Sequence, residues 1–441
     1  MSQTRPVSLD LLEAIRKTSD FSLKKNLESQ LWEQLKKDGL PIISNADGHY
    51  QLTFLYQSSV NNQIITLDSP DFYDKLLDAN NQLKTFKREP YTDIYYCQIN
   101  DVPKEFFASY KIKINQQSVL DPYANQSKVF EYDVNSNEIN STSLSYVNIP
   151  NTKPKPSWAT LSSPLSEPHR TVICDNNFKK DTEHFAGRDI FIYKPDGFED
   201  AKNKKVIFVL DGSYFCKIAT PYIDVLRHDE RYKNEFKDTA IIFVNSNPSY
   251  SGIYPIKAPD RVYEYYFMKD QFSSFIAKEV LPYYRKQWDI QSKNVILVGH
   301  SLGAYLVANT VLQYPDAVGG VMLFSAALNR CRPILVPGQN EQGKKIPIYM
   351  QIGLLEDDKP PDCIQGSEKE GQEYTNESIF EANRTLHKDL LRNHYLVSLE
   401  TFSSGHDERH MISGIVQGLR FLQNPPSPEK YHENTSSPKP K

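Results

Sequence analysis

No apolar stretch in this 441-residue chain approaches the ~18–20 residues needed to span a bilayer, so no membrane partner is expected. There is no basic excess either. Lys and Arg number 51 against 55 Asp and Glu, a formal net charge of −4, and without a positive stripe no nucleic-acid partner is expected. Cysteine is sparse. Cys97, Cys174, Cys216, Cys331 and Cys363 show no CxxC or zinc-like spacing, and an odd, scattered set reads as free thiols in a reducing compartment. The opening MSQTRPVSLDLLEAIRKTSDF lacks the continuous apolar core of a secretory signal, so a cytoplasmic location is expected. No HExxH or comparable cluster points to a metal, and no cofactor is expected.

What is present is a 39% hydrophobic composition on a length that suits two or three domains with large cores. Residues 1–26 are polar, with Leu11, Leu12 and Ile15 as a short stripe, and read as an N-terminal helical extension packed on the next domain. Residues 27–148 read as a β-sandwich. GHYQLTFLYQ, TDIYYCQI and ASYKIKIN alternate apolar and polar residues and are rich in aromatic and β-branched types, a pattern that fades near Asp121-Pro122-Tyr123. Residues 149–165 form a proline-rich linker, and residues 424–441 a charged, proline-rich tail expected to be disordered.

Between linker and tail, residues 166–423, the period changes. The strand-like runs DIFIY, KVIFVLDG, AIIFVN, NVILVG, GVMLFS, IPIYMQIG and LVSLETF alternate with helix-like stretches such as Lys269–Tyr284, Ala304–Tyr314 and Asn376–Asn393. That alternation predicts an α/β domain with a mostly parallel sheet, helices on both faces and reactive groups at the carboxyl ends of the strands. One run ends in Gly299-His300-Ser301-Leu302-Gly303. In G-x-S-x-G the small outer residues permit a sharp strand-to-helix turn that lifts the serine hydroxyl above the sheet, which makes Ser301 the candidate nucleophile.

A serine hydroxyl needs a histidine to take its proton and a carboxylate to orient that histidine, and in this chain order both lie downstream. His406, in Ser-Ser-Gly-His after LVSLETF, is the favoured base over His410; His300 is disfavoured because neighbours inside the elbow point apart. The acid lies in Gly353–Asp358, with Glu356 ranked before Asp357 and Asp358 also in the loop. An oxyanion hole needs two backbone amides. Leu302 is expected to supply one, and Gly212 or Ser213, after KVIFVLD, the other.

The motifs SQLWEQLKKDGLP, HYQLTFLYQ, DPYAN, VIFVLDGSYF, Arg261-Val262-Tyr263-Glu264, EVLPYY, GHSLG, FEANRTL and SGHD occur in an order that resembles the enterochelin (ferric enterobactin) esterase family. That family stands among the esterase D and feruloyl esterase-like α/β-hydrolases. The resemblance implies an α/β-hydrolase carrying an N-terminal immunoglobulin-like β-sandwich, and a serine esterase that opens the trilactone of a catecholate siderophore so that iron is released in the cell. It carries Arg261 and Glu264 over as substrate-binding residues. Arg261 would either attract an anionic ferric complex or pair internally with Glu264. Departures from the family pattern are Ala304 after the elbow, Met411 after the histidine motif, and a long polar segment, Lys359–Thr375, beside the acid. The expected substrate is therefore a small-molecule ester, a ferric siderophore being the leading candidate. Acyl, aryl or carbohydrate esters are the alternative, and an inert siderophore- or glycan-binding protein is the alternative of another class.

Overall fold

A computed structural model describes residues 5–46, 49–69, 71, 76, 84–104, 106–149, 170–180, 187–246, 260–329, 346–357 and 377–424. The first apolar stripe forms α1 (Val7–Lys17), followed by α2 (Phe21–Asp38), whose first turn is capped by Asp20 accepting from the Leu23 amide at 3.0 Å. The boundary expected at residue 26 therefore falls inside a helix: α2 runs unbroken to Asp38, and the first strand starts at Ile42. No breaker interrupts the Asn26–Asp38 stretch, and Leu31, Trp32 and Leu35 share one buried face. With Leu12 and Ile15 they pack on Leu40, Ile42, Leu55 and Ile94.

The sandwich consists of two antiparallel sheets. One has the order β1-β2-β5-β4, from β1 (Ile42–Ala46), β2 (His49–Gln57), β4 (Lys87–Arg88) and β5 (Ile94–Val102). The other has the order β3-β6-β9-β8, from β3 (Ile65–Asp68), β6 (Phe107–Ile114), β8 (Asn125–Asp133) and β9 (Glu138–Asn148), with β7 (Gln117–Val119) beside β6. Alternate residues, Leu52 and Phe54, Cys97 and Ile99, Tyr110 and Ile112, meet between the sheets. Strand structure does not end near Asp121, because β8 and β9 form a long hairpin after it. Its polar sequence hid it: β9 is mostly exposed until Leu144, where Leu144 and Tyr146 join Val129 and Tyr132 in a core shared with the second half.

That second half is built on an eight-stranded sheet of order β10-β11-β13-β12-β14-β15-β16-β17. Its strands are β10 (Arg170–Asp175), β11 (Ile190–Pro195), β12 (Lys205–Leu210), β13 (Thr239–Val244), β14 (Val295–His300), β15 (Gly320–Phe324), β16 (Ile348–Gly353) and β17 (Val397–Phe402). The six strands from β12 onward run parallel, while β11 is antiparallel to both of its neighbours. Residues of β12 alternate between the two faces. Val206, Phe208 and Leu210 face the helical stretch Asp260–Trp288 together with α4 (Leu302–Gln313) and α5 (Ile379–Arg392). Ile207 and Val209 face α3 (Gly212–His228) and α6 (Arg409–Gln423). The stretch predicted as one helix over Lys269–Tyr284 is helical throughout but passes through a π-helical turn at Ile276–Val280.

The sandwich joins this second core. Phe107, Val129, Tyr132, Leu144 and Tyr146 pack with Phe215, Tyr222 and Met411, so the two halves share buried apolar surface. Of the expected linker only Ile149 is described, and it is buried, its amide donating to the Phe106 carbonyl; the rest, the segment 359–375 and the tail beyond Asn424 lie outside the described residues.

Candidate active site

Strand β14 ends in a turn that only small residues permit. Ser301 has φ 56° and ψ −123°, a region costly for a non-glycine residue. A Cβ on Gly299 would come within 2.4 Å of the Gly303 backbone, so the crossing of strand end and helix start requires glycine there. The Ser301 amide donates to the Phe324 carbonyl on β15, and its own carbonyl accepts from Ala327 and Tyr305. Flanking secondary structure thereby holds the strained residue.

Three loops at the carboxyl end of the sheet converge on this serine. His406, after β17, places Nε2 2.9 Å from Ser301 Oγ and Nδ1 2.6 Å from Glu356 Oε2. The network assigns the proton: Nδ1–H donates to the carboxylate, which leaves Nε2 to accept from the serine hydroxyl. Glu356 is held by its other oxygen, which accepts from Ser325 Oγ at 2.6 Å and from the Gly353 amide at 2.9 Å. Burial by itself would lower the His406 pKa, but the charge and hydrogen bond of Glu356 outweigh it, and the ring titrates above its ordinary value. His300 lies beneath, its ring 4.7 Å from that of His406, and burial pushes its pKa well down, so it is a neutral floor.

Several alternatives separate at this point. Asp357 is exposed and accepts from Ser378 Oγ at 3.2 Å, away from His406, and Asp358 lies outside the described residues. His410 is buried with Nε2 2.8 Å from Asp71 Oδ1 in the sandwich. The structure therefore brings Ser301, His406 and Glu356 together.

Leu302 and Gly212 are the first residues of α4 and α3, which follow the adjacent parallel strands β14 and β12. First-turn amides of a helix have no partner within it and carry the positive end of its dipole, so both suit a developing anion. The Ser213 amide instead donates to Asn245 Oδ1. That occupied donor favours Gly212 over Ser213.

The Arg261 and Glu264 expectations need correction. Arg261 does not pair with Glu264; it binds Asp211, through Nε at 2.5 Å and Nη2 at 2.8 Å, and reaches the His300 carbonyl at 3.3 Å. Glu264 has no exposed side-chain surface and takes both Arg188 terminal nitrogens at 3.1 Å. A carboxylate sealed this way cannot touch substrate. The pairing offered as one alternative for this motif does not form, because the helix places the two side chains toward different partners. Sequence reasoning also missed Asp211, in the left-handed region at φ 59°, with its amide donating to Tyr265 Oη. Asn245, Ser325 and Asp71 were missed as well; the serine that closes GVMLFS was the one visible signal.

Among the described residues no cluster of His, Cys, Asp and Glu could hold a metal, and no helix is long and apolar enough to cross a membrane.

A serine on a strained turn at the carboxyl end of a mostly parallel eight-stranded sheet, with an N-terminal β-sandwich, defines an α/β-hydrolase with an immunoglobulin-like domain. The Esterase family model, described as "Putative esterase", matches residues 186–407, and the chain belongs to that family of carboxylic-ester hydrolases. No curated protein matches it in sequence. Among solved structures it is similar to the enterobactin esterase of Shigella flexneri crystallised in the presence of enterobactin. The two share 15% identity at a TM-score of 0.58, over 90% of this chain and 98% of that one. It is also similar to the ferric enterobactin esterase of Salmonella typhimurium, at 16% identity and a TM-score of 0.57, over 86% and 95% of the two chains. At these identities the likeness establishes the fold, over both halves.

Proposed function

We propose that the chain is a serine esterase in which Ser301 is the nucleophile, His406 the general base and Glu356 the acid that orients it. The observation that carries this reading is the unbroken line from Ser301 Oγ through both ring nitrogens of His406 to Glu356 Oε2. His406 Nε2 takes the hydroxyl proton as Ser301 Oγ attacks the ester carbonyl, and the amides of Leu302 and Gly212 face the oxyanion. Collapse expels the alcohol, which receives that proton from His406. Water, deprotonated by the same ring, then releases the acyl group.

For the substrate we propose the trilactone of a catecholate siderophore, with the cytoplasm as the site of iron release. The support is similarity of fold along both halves to proteins named as enterobactin esterases. Any iron arrives with the substrate. One observation favours the second reading, an uncharged acyl, aryl or carbohydrate ester: the Arg261 guanidinium is already engaged by the Asp211 carboxylate, which leaves little positive field there for an anionic ferric complex. Hydrolysis of a short-chain aryl ester and of a catecholate trilactone, by wild type and Ser301→Ala, tests both. Trilactone cleavage far above the simple ester, abolished by the substitution, is expected. Activity on the simple ester alone supports the second reading, and turnover by Ser301→Ala overturns the nucleophile assignment.

A further inference from the structure

The loop that carries His406 has two neighbours. On one side is the acid loop, where the Leu355 amide donates to the Ser404 carbonyl at 3.0 Å. On the other side is the sandwich, and the contact there is polar and buried. Asp71, with no exposed side-chain surface, lies 2.8 Å from His410 Nε2 through Oδ1 and accepts from the Ser109 amide at 2.9 Å through Oδ2. The Ser404 hydroxyl sits 2.8 Å from Asp71 Oδ1 and 2.6 Å from the Phe107 carbonyl oxygen, its one proton serving two acceptors. Ser109 Oγ donates to Asp407 Oδ2 at 3.1 Å, and the Phe107 amide donates to the Ser403 carbonyl at 3.3 Å. Gly405 lies against the same residue: a Cβ there would fall 1.9 Å from the Asp71 carbonyl oxygen.

These contacts end on residues 403, 404, 405, 407 and 410, on both sides of His406. A domain interface serving cohesion alone could lie anywhere along the shared apolar surface. A buried carboxylate with a histidine and two serines is instead directional, and removing Asp71 takes away an acceptor that His410, the Ser404 hydroxyl and the Ser109 amide share. Buried His410 is kept protonatable by Asp71, whose charge and hydrogen bond overcome the lowering caused by burial.

We propose that Asp71 is a positioning residue for the reaction, fixing from the sandwich the backbone that aims His406 at Ser301. The proposal rests on the assignment of those two residues as base and nucleophile. Reacting groups displaced by about 1 Å lose on the order of 10²-fold in rate, and that is the scale of loss expected when the anchor is removed.

The experiment uses the full chain as wild type, Asp71→Asn, Ser404→Ala and Ser301→Ala. It measures turnover of a short-chain aryl ester, the rate of Ser301 phosphonylation by a fluorophosphonate, and the thermal midpoint. In the phosphonylation step Ser301 Oγ bonds to phosphorus, fluoride leaves and the hydroxyl proton passes to His406, so the rate reports the aim of the base. Asp71→Asn is expected to lower kcat and phosphonylation together by about 10²-fold, with KM within about twofold. Ser404→Ala, which spares the sandwich core, is expected to lower both by roughly tenfold, and it decides the matter if Asp71→Asn does not fold. A lowered midpoint with an unchanged phosphonylation rate in the folded variant would make Asp71 interface cement only and overturn the proposal. Full phosphonylation in Ser404→Ala likewise counts against it. Turnover retained by Ser301→Ala would instead remove the underlying triad, a separate failure.

Discussion

Glu356 and His406 meet at 2.6 Å, and the other carboxylate oxygen of Glu356 is held by Ser325 and the Gly353 amide. That carboxylate therefore has one orientation. Its sequence neighbour Asp357 faces solvent and Ser378. Glu356→Gln should lower kcat on an aryl ester by on the order of 10⁴-fold, because an amide cannot hold the ring in the tautomer that accepts from serine. Asp357→Asn should stay within about threefold of wild type, as a surface change would. Steady-state kinetics of the two variants check the assignment, and a reversed order would reject it.

The pH profile follows from the same contact. As the proposed base His406 must be neutral, and it titrates above the ordinary histidine value because Glu356, with a smaller contribution from Glu408, outweighs burial. Activity is then present above that raised pKa and lost as pH falls through it. The acidic limb of kcat/KM should lie above pH 6.5 in wild type and move to lower pH in Glu356→Gln, where residual activity allows it to be followed. A limb that moves upward, or not at all, would contradict this account.

Arg188 and Glu264 form a two-point pair with no exposed side-chain surface. Glu264→Gln removes the carboxylate charge bonded to a buried guanidinium that lies over the rings of Phe272 and Phe275, and should cost about 3–5 kcal/mol in urea unfolding. KM per folded molecule should not change. A KM increase at unaltered stability would restore Glu264 to the substrate pocket.

Arg261→Met separates scaffold from steering. Its two bonds to Asp211 and its contact with the His300 carbonyl hold the turn before α3 against the elbow. The substitution should therefore depress kcat for a neutral aryl ester and for a ferric catecholate by similar factors. If Arg261 steered an anion, the ferric complex would lose more, and its salt dependence would flatten.

Periodicity and punctuation were enough to read the sequence as far as local physics reaches. Seven runs became β11 to β17, the inner ones apolar throughout because a strand covered on both faces must be, while β17 at the sheet edge alternates. Gly299-x-Ser301-x-Gly303 announced the turn because only small residues let strand and helix cross there. Where patterns were polar the reading thinned: the β8–β9 hairpin went unrecognised and the boundary set at residue 26 fell inside α2, since much of their surface faces water.

What the sequence by itself determined is the chemistry on offer: a serine at a strand end, with a histidine and carboxylates in later loops. Tertiary structure alone put Glu356 rather than Asp357 against His406, turned His410 to Asp71 and engaged the Ser213 amide with Asn245, because neighbours along a chain differ only in where the fold points them. It alone also brought Asp71 beside His410, 339 positions along the chain. No local pattern encodes a contact of that span; it exists only once the sandwich and the α/β sheet have closed over a shared core.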